Sequence, residues 1–286
     1  MAANTAQLLE GKILAQKIQE EIRLGIEEIK AKHHPAPRMV SIQVTQDTWY
    51  ISQQQKLATK LGIEFIWVPP QDVQTEAQLL NQIQQASEGG HIHGLFVTMP
   101  FPSNFNSEKI LPAINPQKDV EGIHPTNLGL IVLRKSKLIP CTALAAFKLI
   151  EHTGIELRGK KATIIGQSAI VGRPLQMMLG EKRVTTIVCN SGTSEQDMKN
   201  FCLESDIVVG CAGQPGLIKG SWIKQGAIVI DVGTTEVNGK LVGDVEFETA
   251  KERASFITPV PGGVGPLTVT MLMWNLIQAY RWQGKI

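Results

Sequence analysis

After Ile165 the chain reads Gly166-Gln-Ser-Ala-Ile-Val-Gly-Arg-Pro174. A glycine-bearing turn between a strand and a helix aims backbone N–H groups and the positive helix end at a phosphate, which is how a dinucleotide pyrophosphate is held. The match to G-x-G-x-x-G is partial: Ser168 stands in the second glycine's place and Gly172 comes late. A purely structural strand–helix turn would also fit. The next strand ends in Cys189-Asn190-Ser191, without the carboxylate that binds ribose hydroxyls in NAD sites. A 2′-phosphate would meet no repulsion there, and Arg173 supplies a cation, so NADP is favoured and NAD stays open. A second backbone-dominated loop, Thr258-Pro-Val-Pro-Gly-Gly-Val-Gly-Pro-Leu-Thr268, has three prolines and three glycines in eleven residues. Such a stretch cannot form a central strand or a helix interior. It opens the apolar run Leu267 to Ile277, and the free amides of a helix N-terminus suit an anion or a polar ligand.

The elements that must carry these loops fall into two βα series. In the first, Leu8 to Lys30 has the apolar spacing of a helix. Met39–Val44, Glu64–Val68 and Gly94–Thr98 read as strands, separated by helices at Ile51–Lys60 and from a Thr75/Gln78 capping box through Ala86. In the second, strands are expected at Lys161–Ile165, Thr185–Cys189, Ile207–Val209, Ala227–Ile230 and Phe256–Ile257, with helices at Val171–Leu179 and Glu195–Leu203. Alternation of this kind implies parallel, covered sheets. The expected fold class is α/β: two α/β domains flanking a cleft, the second a Rossmann-type doubly wound parallel sheet. Residues 1–140 form the first domain and residues 141–265 the second, and residues 266–286 form a terminal helix packing back on the first. The 286 residues allow two cores, and 43% hydrophobic with 19% charged residues is an ordinary globular composition. A net charge of 28 − 26 = +2, with no basic block, argues against nucleic acid as partner. Four scattered cysteines give no disulfide framework, and no His/Cys/carboxylate cluster has metal-ligand spacing. No apolar run reaches membrane length, so a cytoplasmic protein is expected.

Gly166–Pro174, Gly213-Gln-Pro215, Gly226-Ala-Ile-Val-Ile-Asp-Val-Gly233, Gly243-Asp-Val245 and Thr258–Thr268 occur in one order, preceded by Lys118-Asp-Val-Glu-Gly122 and His124-Pro-Thr-Asn127. Together they resemble the methylenetetrahydrofolate dehydrogenase/cyclohydrolase family of the bifunctional FolD type, over nearly the whole chain. The resemblance implies an N-terminal catalytic domain, a Rossmann-type NADP domain, a folate-type substrate and a homodimer. It implies oxidation of 5,10-methylenetetrahydrofolate to the methenyl form, then hydrolysis to 10-formyltetrahydrofolate. By position, Gly166, Gln167, Ser168, Ser191 and Thr234 would line the dinucleotide beside Arg173. Lys56, Asp119, Pro261, Gly262 and Gly263 would bind substrate. Thr234-Thr235 replaces the family's usual Ile-Asn.

Tyr50, Gln54, Thr98 and Glu121 take the family's catalytic positions, and three of the four depart from its pattern. The family has a lysine four residues after the tyrosine; here Gln54 shares the helical face of Tyr50, while Lys56 projects elsewhere. Thr98 stands for the family's glutamine and Glu121 for its second aspartate, and the loop Val44–Tyr50 is about three residues shorter than usual. Hydride transfer from a methylene group needs positioning and stabilisation of a developing cation. Hydrolysis needs an activated water and a proton shuttle, and Gln54 cannot titrate. Dehydrogenase activity is therefore expected more readily than cyclohydrolase activity. Another pterin or iminium-type substrate, or a silent nucleotide-binding regulator, is an alternative on the same scaffold. Asp119 also suits a role ordering the loop before Gly122, and His124 that of a loop hydrogen-bonder. His91 and His93 read as an exposed turn. Trp49, Trp67 and Trp222 read as core or surface anchors. Cys141, in Pro140-Cys-Thr-Ala143, lacks the proline that usually follows.

Overall fold

The structure, a computed structural model, describes residues 6–45 and 48–284. The chain divides into two compact units: Gln16–Cys141 with Val269–Ile286, and Met1–Ala15 with Thr142–Thr268. Strand β1 (Gln7–Leu8) and helix α1 (Gly11–Ala31) open the chain. In the first unit follow β2 (Arg38–Ile42), α2 (Thr48–Leu61), β3 (Glu64–Val68), α3 (Glu76–Glu88), β4 (Gly94–Val97), α4 (Ser107–Ala113) and α5 (Pro125–Val132). The three strands form a parallel sheet in the order β3-β2-β4, with Ser41 in register with Trp67 on one side and Phe96 on the other. Side chains alternate across a sheet. Val40, Ile42, Leu95 and Val97 pack into the core with Leu79 and Ile83 of α3 and Ile110 of α4. Ser41 and Phe96 take the opposite face, at the carboxyl end, where parallel sheets carry their ligands.

The second unit holds α6 (Cys141–His152), β5 (Lys161–Ile165), α7 (Gly172–Glu181), β6 (Thr185–Cys189), α8 (Glu195–Glu204), β7 (Ile207–Gly210), β8 (Ile228–Asp231), β9 (Thr235–Val237), β10 (Lys240–Val242), α9 (Phe247–Ala250) and β11 (Phe256–Ile257), before α10 (Val264–Trp282). Cys141 and the later part of α10 fall in the first unit. Six strands make a parallel sheet in the order β1-β11-β8-β7-β5-β6. The chain leaves β5 for β6 on one side and returns to β7 on the other, so the order reverses between β5 and β7. That is the switch point where a doubly wound sheet binds its ligand. Asn238-Gly239, both at positive φ, turn the β9–β10 hairpin.

The N-terminus departs from the expected helix from Leu8 and from the division at 1–140. Gln7 N donates to Ser255 O at 2.8 Å and Leu9 N to Ile257 O at 2.8 Å, so this segment adds a parallel strand to the six-stranded sheet. A free edge beside β11 outweighs the local helical pattern. His93 also departs from the expected exposed turn, whereas His91 is exposed. His93 is buried: its Nδ1 accepts from Arg38 N at 3.0 Å, and its ring lies 4.6 Å from that of Tyr280 on α10. Trp222 is buried, Trp67 is half-exposed with its Nε1 donating to Gln43 at 3.0 Å, and the Trp49 side chain lies outside the described residues.

Helix α3 is fixed at both ends. Thr75 Oγ1 accepts from Gln78 N at 3.2 Å and Gln78 Oε1 accepts from Thr75 N at 3.0 Å, the reciprocal capping box. At the other end the buried Lys118 Nζ donates to the carbonyls of Ala86, Ser87 and Gly89 at 3.1, 2.7 and 2.8 Å. It satisfies carbonyls that a helix C-terminus leaves open. Lys118→Met is expected to destabilise the protein by about 2–4 kcal/mol, against about 1 kcal/mol for Thr75→Ala, in denaturant titrations followed by circular dichroism. Equal losses would mean that Lys118 is not the stronger clamp.

Candidate active site

Nucleotide-side residues gather at the β5/β7 switch point. Gly166 follows β5 with φ 125°, and a β-carbon on it would lie 2.3 Å from Cys211 O at the end of β7. A β-carbon on Gly172 would lie 1.9 Å from Gly166 O. The two glycines, six residues apart, therefore let the turn fold onto itself, so the late Gly172 is the residue that closes it. Ser168 caps this turn: its Oγ accepts from Val171 N at 3.2 Å and its carbonyl from Arg173 N at 3.1 Å. Gln167 Oε1 accepts from Asn190 Nδ2 at 3.1 Å, tying the first loop to the end of β6. Gln167, Ser168, Arg173, Ser191 and Thr234 are all exposed, with no carboxylate at Asn190–Ser191. Pro261 follows a cis peptide bond, Gly262 has φ 108°, and Gly262 O accepts from Gly11 N at 2.9 Å. Pro261, Gly262 and Gly263 belong to the unit of Thr142–Thr268, and Lys56 and Asp119 to the other.

Two buried carboxylates hold the loops around Thr234. Asp231 Oδ1 accepts from Gly233 N at 3.0 Å and Asp244 N at 2.9 Å, and its Oδ2 from Val245 N at 2.9 Å. Asp244 accepts from the amides of Ala212, Gly213 and Gln214 at 2.6, 3.0 and 2.8 Å. Burial pushes Asp231 up to about 6 against the pull of these donors, and it raises Asp244 as well. The sequence motifs containing these aspartates are visible, but their pairing across the fold is not.

In the other unit, Tyr50 and Gln54 share one face of α2. The Tyr50 ring lies 6.0 Å from that of Phe96, and Gln54 Oε1 accepts from Ser41 Oγ at 3.1 Å. Ser41 and Phe96 are register partners, so one helical face rests on two adjacent strand positions. Gln54 is fully buried, and its Nε2 has no partner among the described residues. Lys56 is exposed and is not brought to Gln54. Thr98 Oγ1 accepts from Val44 N at 3.0 Å, tying the end of β4 to that of β2. The shortened loop includes residues 46 and 47, which lie outside the described residues.

Asp119 sits beside β4 through a bridge to Leu95. Its Oδ1 accepts from Gly122 N at 3.0 Å, and its Oδ2 accepts from His124 N and Asn127 Nδ2, both at 2.8 Å. Asp119 therefore orders the turn before Gly122, and burial raises its pKa nonetheless. His124 is the expected loop hydrogen-bonder, its Nδ1 accepting from Thr126 N at 3.0 Å to start α5. Glu121 keeps some exposed surface, but its Oε2 is buried and unpartnered. Burial, then the charge of Asp119, pushes Glu121 up to about 8. At neutral pH Glu121 is mostly a carboxylic acid, able to donate a hydrogen bond as well as accept one. Cys141 opens α6 beside it. The Cys141 thiol donates to Val120 O at 3.2 Å and receives Asn275 Nδ2 at 3.5 Å, and burial raises its pKa. Ser41 and Asn275 carry no sequence motif, which is why the sequence alone does not single them out. Among the described residues, no three His, Cys, Asp or Glu side chains could hold a metal ion.

The tetrahydrofolate dehydrogenase/cyclohydrolase catalytic-domain model matches residues 9–121, and the NAD(P)-binding-domain model of that family matches residues 140–284. The chain belongs to this family. A bifunctional FolD protein of Aquifex aeolicus is 41% identical over 281 residues, covering 96% of each chain. A 5,10-methylenetetrahydrofolate dehydrogenase from the silkworm Bombyx mori superposes with a TM-score of 0.93 at 35% identity, covering 98% of this chain and 100% of that one. The Trypanosoma brucei FolD structure, complexed with NADP and an inhibitor, gives a TM-score of 0.91 at 33% identity, covering 99% of both. The chain is thus an enzyme of the dehydrogenase/cyclohydrolase type, with a Rossmann-like NAD(P)-binding domain built on the six-stranded sheet.

In this family member, Gly172→Ala is expected to weaken NADP(H) binding at least tenfold in fluorescence titrations, because the new methyl group collides with Gly166 O. Unchanged affinity would show that the turn is not the nucleotide cradle. Glu121 also sets a pH dependence of stability. Its folded pKa lies above the ordinary 4.5, so its contribution is full below pH 4.5 and is lost as pH rises to about 8. The loss amounts to roughly 3–5 kcal/mol at most. Glu121→Gln should flatten the stability–pH curve across that window in urea titrations; an unaltered slope would mean that Glu121 ionises normally.

Proposed function

We propose that the chain oxidises 5,10-methylenetetrahydrofolate to 5,10-methenyltetrahydrofolate with NADP, and that its hydrolysis of the methenyl cation is weak or lost. The observation that carries this reading is Gln54: fully buried, bonded to Ser41, and without a titratable group where proton shuttling would be needed. Lys56, two residues on along α2, faces solvent. Family membership supports the general reaction; the substitutions at Gln54, Thr98 and Glu121 support the split.

The folate-side work is assigned to the unit of Gln16–Cys141 and Val269–Ile286, and cofactor binding to the other. The turn that Gly166 and Gly172 allow to close, leading from β5 into the N-terminus of α7, supports a pyrophosphate site there. Gly166, Gln167, Ser168, Ser191 and Thr234 would hold the dinucleotide, with Arg173 on the 2′-phosphate. When bound, the cofactor supplies the hydride acceptor. Tyr50, backed by Phe96, offers an aromatic face to the pterin ring. Asp119, when ionised, would favour the cation that develops as hydride leaves, and its three N–H donors keep it in place. Glu121, as a neutral acid, contributes a hydrogen bond rather than a second charge. A homodimer in the cytoplasm completes the proposal by family likeness.

Two assays on the pure protein test the split. Cofactor reduction with methylenetetrahydrofolate is expected to proceed, while methenyl absorbance should decay close to its spontaneous rate. Gln54→Lys is expected to raise that decay about a hundredfold, the lower end for a positioned acid–base group. Family-typical hydrolysis by the unaltered protein would sink the split. Nucleotide binding without methylenetetrahydrofolate turnover would point to another iminium substrate or to a silent regulator.

A further inference from the structure

Ser41 is a polar residue in the middle strand of a three-stranded sheet, with strands bonded on both sides and no exposed surface. Its hydroxyl is satisfied by Gln54 Oε1 at 3.1 Å. This pair does not close on itself. A primary amide has two N–H donors, and Nε2 of Gln54 is buried with no partner among the described residues. Two apolar residues would fill the same space without stranding a donor, so packing alone does not account for the pair. The stranded donor lies one helical turn after Tyr50 on the same face, and Ser41 is in register with Phe96, against which the Tyr50 ring rests.

We propose that Ser41 is a positioning residue: by donating to Gln54 Oε1 it turns the amide so that Nε2 is presented as an uncharged donor to a carbonyl-type oxygen of the bound pterin ligand. The proposal rests on the folate reading above and adds a polarity to it. The donor carries no charge at any pH. Asp119 and Glu121 are the carboxyl groups of the site in this unit, and Lys56 is in solvent. A neutral carbonyl is matched by a neutral N–H, whereas a phosphate or carboxylate calls for a cation, which Gln54 does not supply. The aromatic face beside the donor suits a planar heterocycle carrying that oxygen.

Three variants separate this from a packing role. KM and kcat are measured with methylenetetrahydrofolate and NADP, Kd by calorimetry with 5-formyltetrahydrofolate as probe, and Tm as a check on folding. Ser41→Ala is expected to raise KM and Kd about 5- to 10-fold, the usual weight of one hydrogen bond, with kcat falling by less than KM rises. Gln54→Glu keeps an acceptor for Ser41 and removes the Nε2 donor, so its KM and Kd should rise at least as far. Combining the two substitutions should add little beyond Gln54→Glu alone, because the positioned donor is already gone. A lower Tm for Ser41→Ala with KM and Kd unmoved would make the pair structural and overturn the proposal. Full affinity in Gln54→Glu would overturn it too, since the ligand would then be meeting an oxygen at that place. If the unaltered protein binds the probe but ignores all three changes, this proposal alone fails. If the unaltered protein binds neither folate, the functional reading falls and this proposal falls with it.

Discussion

A buried carboxylate that gathers N–H donors from the loops around it is the interaction on which each unit's site rests. Asp119 takes three donors in one unit, and Asp231 and Asp244 take three each in the other. Loops beyond a parallel sheet have no ladder to satisfy their amides, so a side chain must do so or the amides must face water. An aspartate can hold several donors at once because its two oxygens offer only lone pairs. The cost is desolvation, which wins in all three cases and leaves each carboxyl less acidic than usual. The loops are therefore held by groups that would lose their grip on protonation, which ties loop geometry to charge.

Glu121 follows from the same constraint. The turn after Asp119 gives the amides of Gly122 and His124 to Asp119 rather than to the second carboxyl group two residues on. Glu121 Oε2 is left buried and unpartnered, facing the field of Asp119 and the thiol of Cys141. The two acids are near-identical in chemistry but not in environment: Asp119 collects three donors, while Glu121 has a buried oxygen without one and holds its proton near neutrality. Division of labour between paired carboxyls generally arises in this way, from unequal access to donors and water.

Much of the scaffold was legible in the sequence because local signals agreed with the global fold. Glu64–Val68, Lys161–Ile165, Thr185–Cys189 and Phe256–Ile257 are strands with the expected bounds, and the Thr75 capping box starts α3 as its spacing implies. The failures share one cause. Leu8 is expected to begin a helix, yet Gln7–Leu8 pairs with a strand some 250 residues away. His93 looks like part of a polar turn and is buried by α10. Ser41 reads as one more strand residue until Gln54 is placed across from it. Each depends on a partner distant in sequence, and no periodicity or spacing encodes such a partner. In the candidate site, the nucleotide turn could be found from its glycines, while the reason for the late Gly172 needed the 1.9 Å approach to Gly166 O.

The motifs that mark the family are largely those that hold loops in place. Asp231 and Asp244 belong to Gly226–Gly233 and Gly243-Asp-Val245, and their oxygens face backbone amides rather than open solvent. Thr258, which opens the Pro-Gly loop, uses its Oγ1 to accept from Asp231 N at 2.7 Å. Such residues cannot change without releasing several hydrogen bonds at once, whatever reaction the site performs. Gln54, Thr98 and Glu121 are under no comparable backbone constraint: Thr98 Oγ1 holds one amide, and the Gln54 and Glu121 side chains hold none. Likeness across 96% of the chain therefore speaks most directly for the scaffold and the nucleotide turn. The side chains proposed to divide hydride transfer from hydrolysis are thus among those that the scaffold leaves free to vary.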